Sequence, residues 1–114
     1  MTVTNFGLIS IEQLIRGFKE LGYTINQETE GVGRFRTRRY PSPHERHGAL
    51  PYFYHFLSIF KGEKRIGSVI TMSDSAQPFA KGASHYLVTH RIKNLNAHPK
   101  LIRLFDQIPG FRSK

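Results

Sequence analysis

Tyr52-Phe53-Tyr54-His55-Phe56-Leu57-Ser58-Ile59-Phe60, Lys61-Gly62-Glu63-Lys64, Arg65-Ile66-Gly67-Ser68-Val69-Ile70-Thr71-Met72: two runs rich in aromatic and β-branched side chains flank a short polar segment containing glycine. Such side chains suit a pleated, half-buried surface, and glycine suits a tight reversal, so the stretch reads as a β-hairpin. Its first strand is apolar on both faces. Alternation puts Tyr52, Tyr54, Phe56 and Phe60 on one side and Phe53, His55, Leu57 and Ile59 on the other. One side is expected to be core. For the other there are three fates: cover by the loop at 73–84, pairing with a second copy of the chain, or use of Tyr52 and Tyr54 as stacking platforms for bases.

Upstream of the hairpin, residues 23–40 read as one or two strands, Tyr23–Thr29 and Arg34–Tyr40, interrupted at Gly31-Val32-Gly33. Residues 41–48 hold two prolines, which cannot donate to a ladder, and so form a loop. Downstream, residues 73–84 are a polar loop broken by Pro78 and Gly82, and His85–Ile92 alternates as a further strand. A helix stands at each end of this β-rich centre. Between Ser10 and Gly22, the residues Ile11, Leu14, Ile15, Phe18 and Leu21 make one apolar stripe. Ser10 and Gln13 have the capping-box spacing, and Gly22 suits the left-handed position past a helix end. Gly17, inside this helix, suggests a close neighbour. A second helix starts near Pro99, carries Leu101, Ile102, Leu104, Phe105 and Ile108, and stops at Pro109-Gly110. The predicted class is α+β: residues 1–114 as one basic domain, an antiparallel sheet of about four strands with an N-terminal and a C-terminal helix packed on one face.

Charge is unevenly spread. Of 17 Lys and Arg and eight Asp and Glu, residues 1–33 hold two basic against four acidic side chains, and the chain from Arg34 onward holds fifteen against four. A basic field of that kind attracts nucleic acid or anionic lipid, although surface charge can also serve solubility alone. Within it, Arg34-Phe35-Arg36-Thr37-Arg38-Arg39-Tyr40 places Arg34, Arg36 and Arg38 on one strand face and turns Phe35 and Thr37 toward the core. Side chains two apart on a strand lie roughly 6.5–7 Å apart, close to the rise between successive phosphates of an extended strand. The guanidinium fork binds phosphate bidentately and stacks on bases. The same charges would also guard a sheet edge against aggregation.

Other chemistries find little support in the residues. There is no cysteine, which removes disulfides, iron–sulfur clusters and a thiol nucleophile. Six histidines are present, but His44-Glu45-Arg46-His47 has the wrong spacing and setting for a helical zinc motif, and neither metal nor cofactor is expected. No phosphate-cradling glycine loop or nucleophile elbow occurs. No leader or membrane-length apolar run is seen, so a cytoplasmic chain without membrane association is expected. The leading expectation is a non-catalytic nucleic-acid-binding protein that contacts phosphates through Arg34, Arg36, Arg38, Arg39, Tyr40 and Arg46, with Lys61, Lys64 and Arg65 from the hairpin turn in support. One alternative is a small effector or inhibitor of a phage or other mobile element that binds a protein partner, with a homodimer as a further form of association. Another is a metal-independent ribonuclease using His44 and His47 with Arg46.

Overall fold

A computed structural model describes residues 8–27, 34–40 and 52–107. The order of elements is β1 (Leu8–Ser10), α1 (Ile11–Glu20), β2 (Thr24–Ile25), β3 (Arg36–Tyr40), β4 (Tyr52–Lys61), β5 (Lys64–Ser73), β6 (Ser84–Ile92), a 3-10 turn (Leu95–Ala97) and α2 (Pro99–Asp106). All strand pairings are antiparallel, in the order β1-β6-β5-β4, and the outer edge of β4 is shared by β2 and β3. The class is therefore α+β, as the sequence indicates. Among the described residues, however, the sheet has six strands where the sequence shows about four. The strand with no counterpart in the sequence reading is β1, three residues that run straight into α1, whereas β2 falls within the expected strand Tyr23–Thr29 but is only two residues long, matched to Phe60 and Ile59 of β4.

The β4–β5 hairpin forms where expected, turning at Gly62-Glu63 with Lys61 opposite Lys64. Two irregularities bend it. Ile59 pairs with Gly67 while Phe60 pairs with Arg65, so Ile66 is an extra residue on β5. On the other side of β5, Ile70 pairs with Thr89 and Thr71 with Leu87, so Val88 is an extra residue on β6 and is exposed. Extra residues of this kind raise local twist and bend the strand that carries them.

Helix α1 shows why its sequence was readable. The Ser10 side chain accepts from the Gln13 amide at 3.1 Å, the Gln13 side chain accepts from the Ser10 amide at 3.4 Å, and Gly22 takes a φ of 92° just beyond the end. Replacing Ser10 by Ala is expected to lower stability by about 1 kcal/mol, because the cap's acceptor is lost and two amide donors lose their arrangement. Equilibrium urea denaturation of Ser10→Ala, with an unchanged slope and a lower midpoint, checks it.

The core lies between the helices and one face of the sheet. Ile11, Leu14 and Phe18 of α1 and Leu101 and Phe105 of α2 are buried with Leu57 and Ile59 of β4, Val69 of β5 and Leu87 of β6. Phe18 and Phe105 meet edge to face, with centroids 6.0 Å apart. Gly17 packs against Leu104 of α2: a Cβ there would already stand 3.4 Å from Leu104 Cδ1. A loop over residues 74–83 closes the other end of this face, where Phe79 packs edge to face on Phe35 at 5.0 Å. The loop therefore covers the Leu57 side of the sheet, not the Tyr54 side. No helix among the described residues is long and apolar enough to cross a membrane.

Candidate nucleic-acid interface

Cross-strand register builds the second face of the sheet row by row. In the first row Arg38 stands opposite Tyr54, Tyr54 opposite Met72, Met72 opposite Tyr86 and Tyr86 opposite Leu8, five strands in all. In the next, Arg36 stands opposite Phe56, Phe56 opposite Ile70 and Ile70 opposite Thr89. A third runs from Ser58 to Ser68 to Arg91, and the Ser58 hydroxyl donates to the Arg34 carbonyl at 2.8 Å. Ile70 is buried yet stands outside the helical core cluster, which marks this face as separate from the core. Directly opposed side chains on one face are in contact range, so these rows are physical neighbours.

Arg36 and Arg38 thus sit at one margin of an aromatic and apolar surface, beside Phe56 and Tyr54, and both side chains are exposed. Arg34 precedes β3 and is exposed as well. Arg39 lies opposite Phe53, on the alternate side of the strand, and is exposed at the sheet's margin. Tyr40 pairs with Tyr52, itself 48% exposed. Arg46, His44 and His47 lie outside the described residues, as do the Gly31-Val32-Gly33 step and the proline-rich loop. The three hairpin cations part company. Arg65 returns toward the face, its Nε donating to Ser58 Oγ at 3.0 Å. Lys61 places its ammonium 5.8 Å from the centre of the Tyr23 ring, and Lys64 is exposed at the turn. Lys61 is five residues along β4 from Phe56, about 17 Å at strand rise, and so does not join the Arg36 row.

Thr37 and Phe35 point to the core side, and Thr37 leads into a polar network that composition alone does not reveal. His55 is fully buried, its Nδ1 2.8 Å from Thr37 Oγ1 and its Nε2 2.7 Å from Ser73 Oγ. Ser73 spends its proton on the Ser75 carbonyl at 3.1 Å, so His55 Nε2–H donates to Ser73 and the Thr37 hydroxyl donates to Nδ1. His85, equally buried, donates through Nε2 to the Pro78 carbonyl at 2.9 Å and accepts from Thr71 Oγ1 at 2.7 Å. The two rings are 5.0 Å apart. Each is a neutral imidazole with both nitrogens engaged, and the pair fastens β3, β4, β5 and the 74–83 loop together.

Burial lowers the pKa of His55 to about 4, with the neighbouring His85 adding to the effect, and burial lowers that of His85 as well. The folded state therefore binds fewer protons than the unfolded chain between the ordinary imidazole value near 6.5 and about 4. Stability is complete above about pH 6.5 and declines as pH falls through that window, by on the order of 3 kcal/mol for His55. A ring titration of His55 by NMR is expected to show a midpoint near pH 4. A midpoint near 6.5 would contradict the neutral buried assignment.

Among the described residues no three His, Cys, Asp or Glu side chains come together as metal ligands would. Comparison of the chain with protein-family models, with curated proteins and with solved structures finds no match. The arrangement on the second face is thus the basis for a functional reading. Tyr86, Met72 and Arg91 belong to it through register alone, and their spacing in the sequence gives no sign that they meet Tyr54, Phe56 and Ser58.

Proposed function

We propose that the chain is a non-catalytic nucleic-acid-binding protein whose second sheet face receives a single strand. Arg36 and Arg38 take successive phosphates at the margin, and Tyr54 with its neighbours on β4 and β6 offers rings to the bases. The observation that carries this reading is the register that sets Arg36 beside Phe56 and Arg38 beside Tyr54 on the face turned away from both helices. Cationic tracks bordering aromatic platforms are the general solution for single strands, because every phosphate is charged and every base has a stackable face. A rigid sheet also presents them without an ordering cost at binding.

Fluorescence anisotropy with labelled single-stranded DNA, single-stranded RNA and duplexes, each titrated over a range of salt, tests it. Binding that favours single strands and weakens steeply with salt is expected. Absence of binding at low salt, or capture of a protein in stoichiometric complex with no affinity for nucleic acid, would overturn it.

A further inference from the structure

At the end of the second face nearest the hairpin turn, the strands border an open notch of about 410 Å³ lined by Arg65, Ser68, His90, Arg91, Ile92 and Lys93. Three of these six side chains are cationic and none is acidic. Like charges gathered in one concavity repel one another, and an anion placed among them offsets that cost. The donors are also held in place. Ser58, almost fully buried, accepts from Arg65 Nε at 3.0 Å and itself donates to the Arg34 carbonyl, which fixes the inner edge of the guanidinium and leaves its two terminal amino groups as donors. Ser68 is buried and stands in register with Arg91, so a hydroxyl and a second guanidinium belong to the same row.

Resting on the single-strand reading above, we propose that this notch binds a phosphate monoester, the phosphorylated end of a strand lying along the face. A monoester carries about −1.5 to −2 at neutral pH, against one charge for each phosphodiester inside a strand, so it gains more from three cations lining one notch. Arg65 and Arg91 give planar forks suited to its oxygens, Lys93 adds a point charge, and Ser68 adds a neutral donor. The volume, within the usual range of about 300–1,000 Å³ for small-ligand sites, admits the terminal sugar with its phosphate. The site is distinct from the Arg36 and Arg38 margin: β3 flanks β4 on one side, and Arg91 lies two strands away on the other.

The test uses the full chain and two probes. Inorganic phosphate, titrated by amide NMR at constant ionic strength, is expected to give saturable shifts centred on residues 65–68 and 90–93. Affinity should fall about tenfold or more in Arg91→Ala and less in Ser68→Ala, with melting temperatures confirming that both variants fold. Absence of saturable shifts, or shifts indifferent to Arg91→Ala, overturns the site. In the second arm, oligonucleotides of one sequence bearing a 5′-phosphate, a 3′-phosphate or hydroxyl ends are compared. A roughly tenfold preference for one phosphorylated end, lost in Arg91→Ala and kept in the Arg36→Ala, Arg38→Ala double variant, supports the assignment to a strand terminus. Equal affinity for all three overturns that assignment. Saturable phosphate binding without any oligonucleotide binding overturns the nucleic-acid reading and leaves the monoester site standing.

Discussion

Replacing Arg36 and Arg38 together by Ala is expected to weaken single-strand binding by about 25-fold at 0.1 M salt and to lower the magnitude of the salt slope by about 1.4 units. The figures follow from counterion release: each phosphate contact on a single strand contributes about 0.7 to the slope of log affinity against log salt, and two contacts are removed. The loss should be similar for all sequences, since phosphates carry no base identity. Both side chains are exposed, so the double variant should still fold, and its melting temperature separates lost contacts from a lost fold. An unaltered slope would show that these arginines serve the sheet edge and not a ligand. Tyr54 supplies an independent check, because removing a stacking platform weakens binding without altering the slope.

Gly67→Ala is expected to destabilise the protein by about 3–5 kcal/mol, the largest stability effect foreseen for a single small substitution outside the core. Gly67 has a φ of 151°, and a Cβ there would stand 2.2 Å from the Arg91 carbonyl oxygen and 2.6 Å from Ile92 Cα. Both obstacles are backbone atoms of the adjoining strand, which cannot swing aside as a side chain can. The strain of an unfavourable backbone conformation adds to the overlap. Gly62 gives the internal control: its φ is 63° but nothing lies within 4 Å, so Gly62→Ala should cost only about 1 kcal/mol. For a domain whose whole stability is about 5–15 kcal/mol, Gly67→Ala should lower the melting temperature by about 15 °C or more, whereas equal melting points for the two variants would refute the close-approach argument.

What the sequence made legible was local. Ser10, Gln13 and Gly22 mark the limits of α1 because capping acts over three or four residues, and the Gly62-Glu63 reversal sits between two runs that pair with each other. Leu8-Ile9-Ser10 escaped notice because three residues show no alternation of their own; they are a strand only because Tyr86, His85 and Ser84 lie beside them, with the Ile11 amide bonded to the Ala83 carbonyl at 2.9 Å. Of the strand expected over 23–29, only Thr24–Ile25 is strand among the residues described, up to Gln27, for a related reason: β2 pairs with only two residues at the end of β4. The same division runs through the candidate site. Alternation along β3 put Arg36 and Arg38 on one face, and alternation along β4 put Tyr54 and Phe56 together. The register that adds Met72, Tyr86 and Arg91, shifted by extra residues at Ile66 and Val88, is set by tertiary packing. His55 and His85 were visible as residues, but their enclosure depends on Thr37, Thr71 and Pro78, which only the fold brings to them.

The pairing of Leu8 with Tyr86 joins positions 78 residues apart, and it has a kinetic meaning. The β4–β5 hairpin closes a short loop and can form within microseconds, but β1 has no partner until β6 is in place, and the entropy of that long closure is spent before any contact repays it. Folding is therefore expected to be slow for a chain of this length, in the millisecond-to-second regime of non-local sheets, with the first strand in sequence among the last to dock.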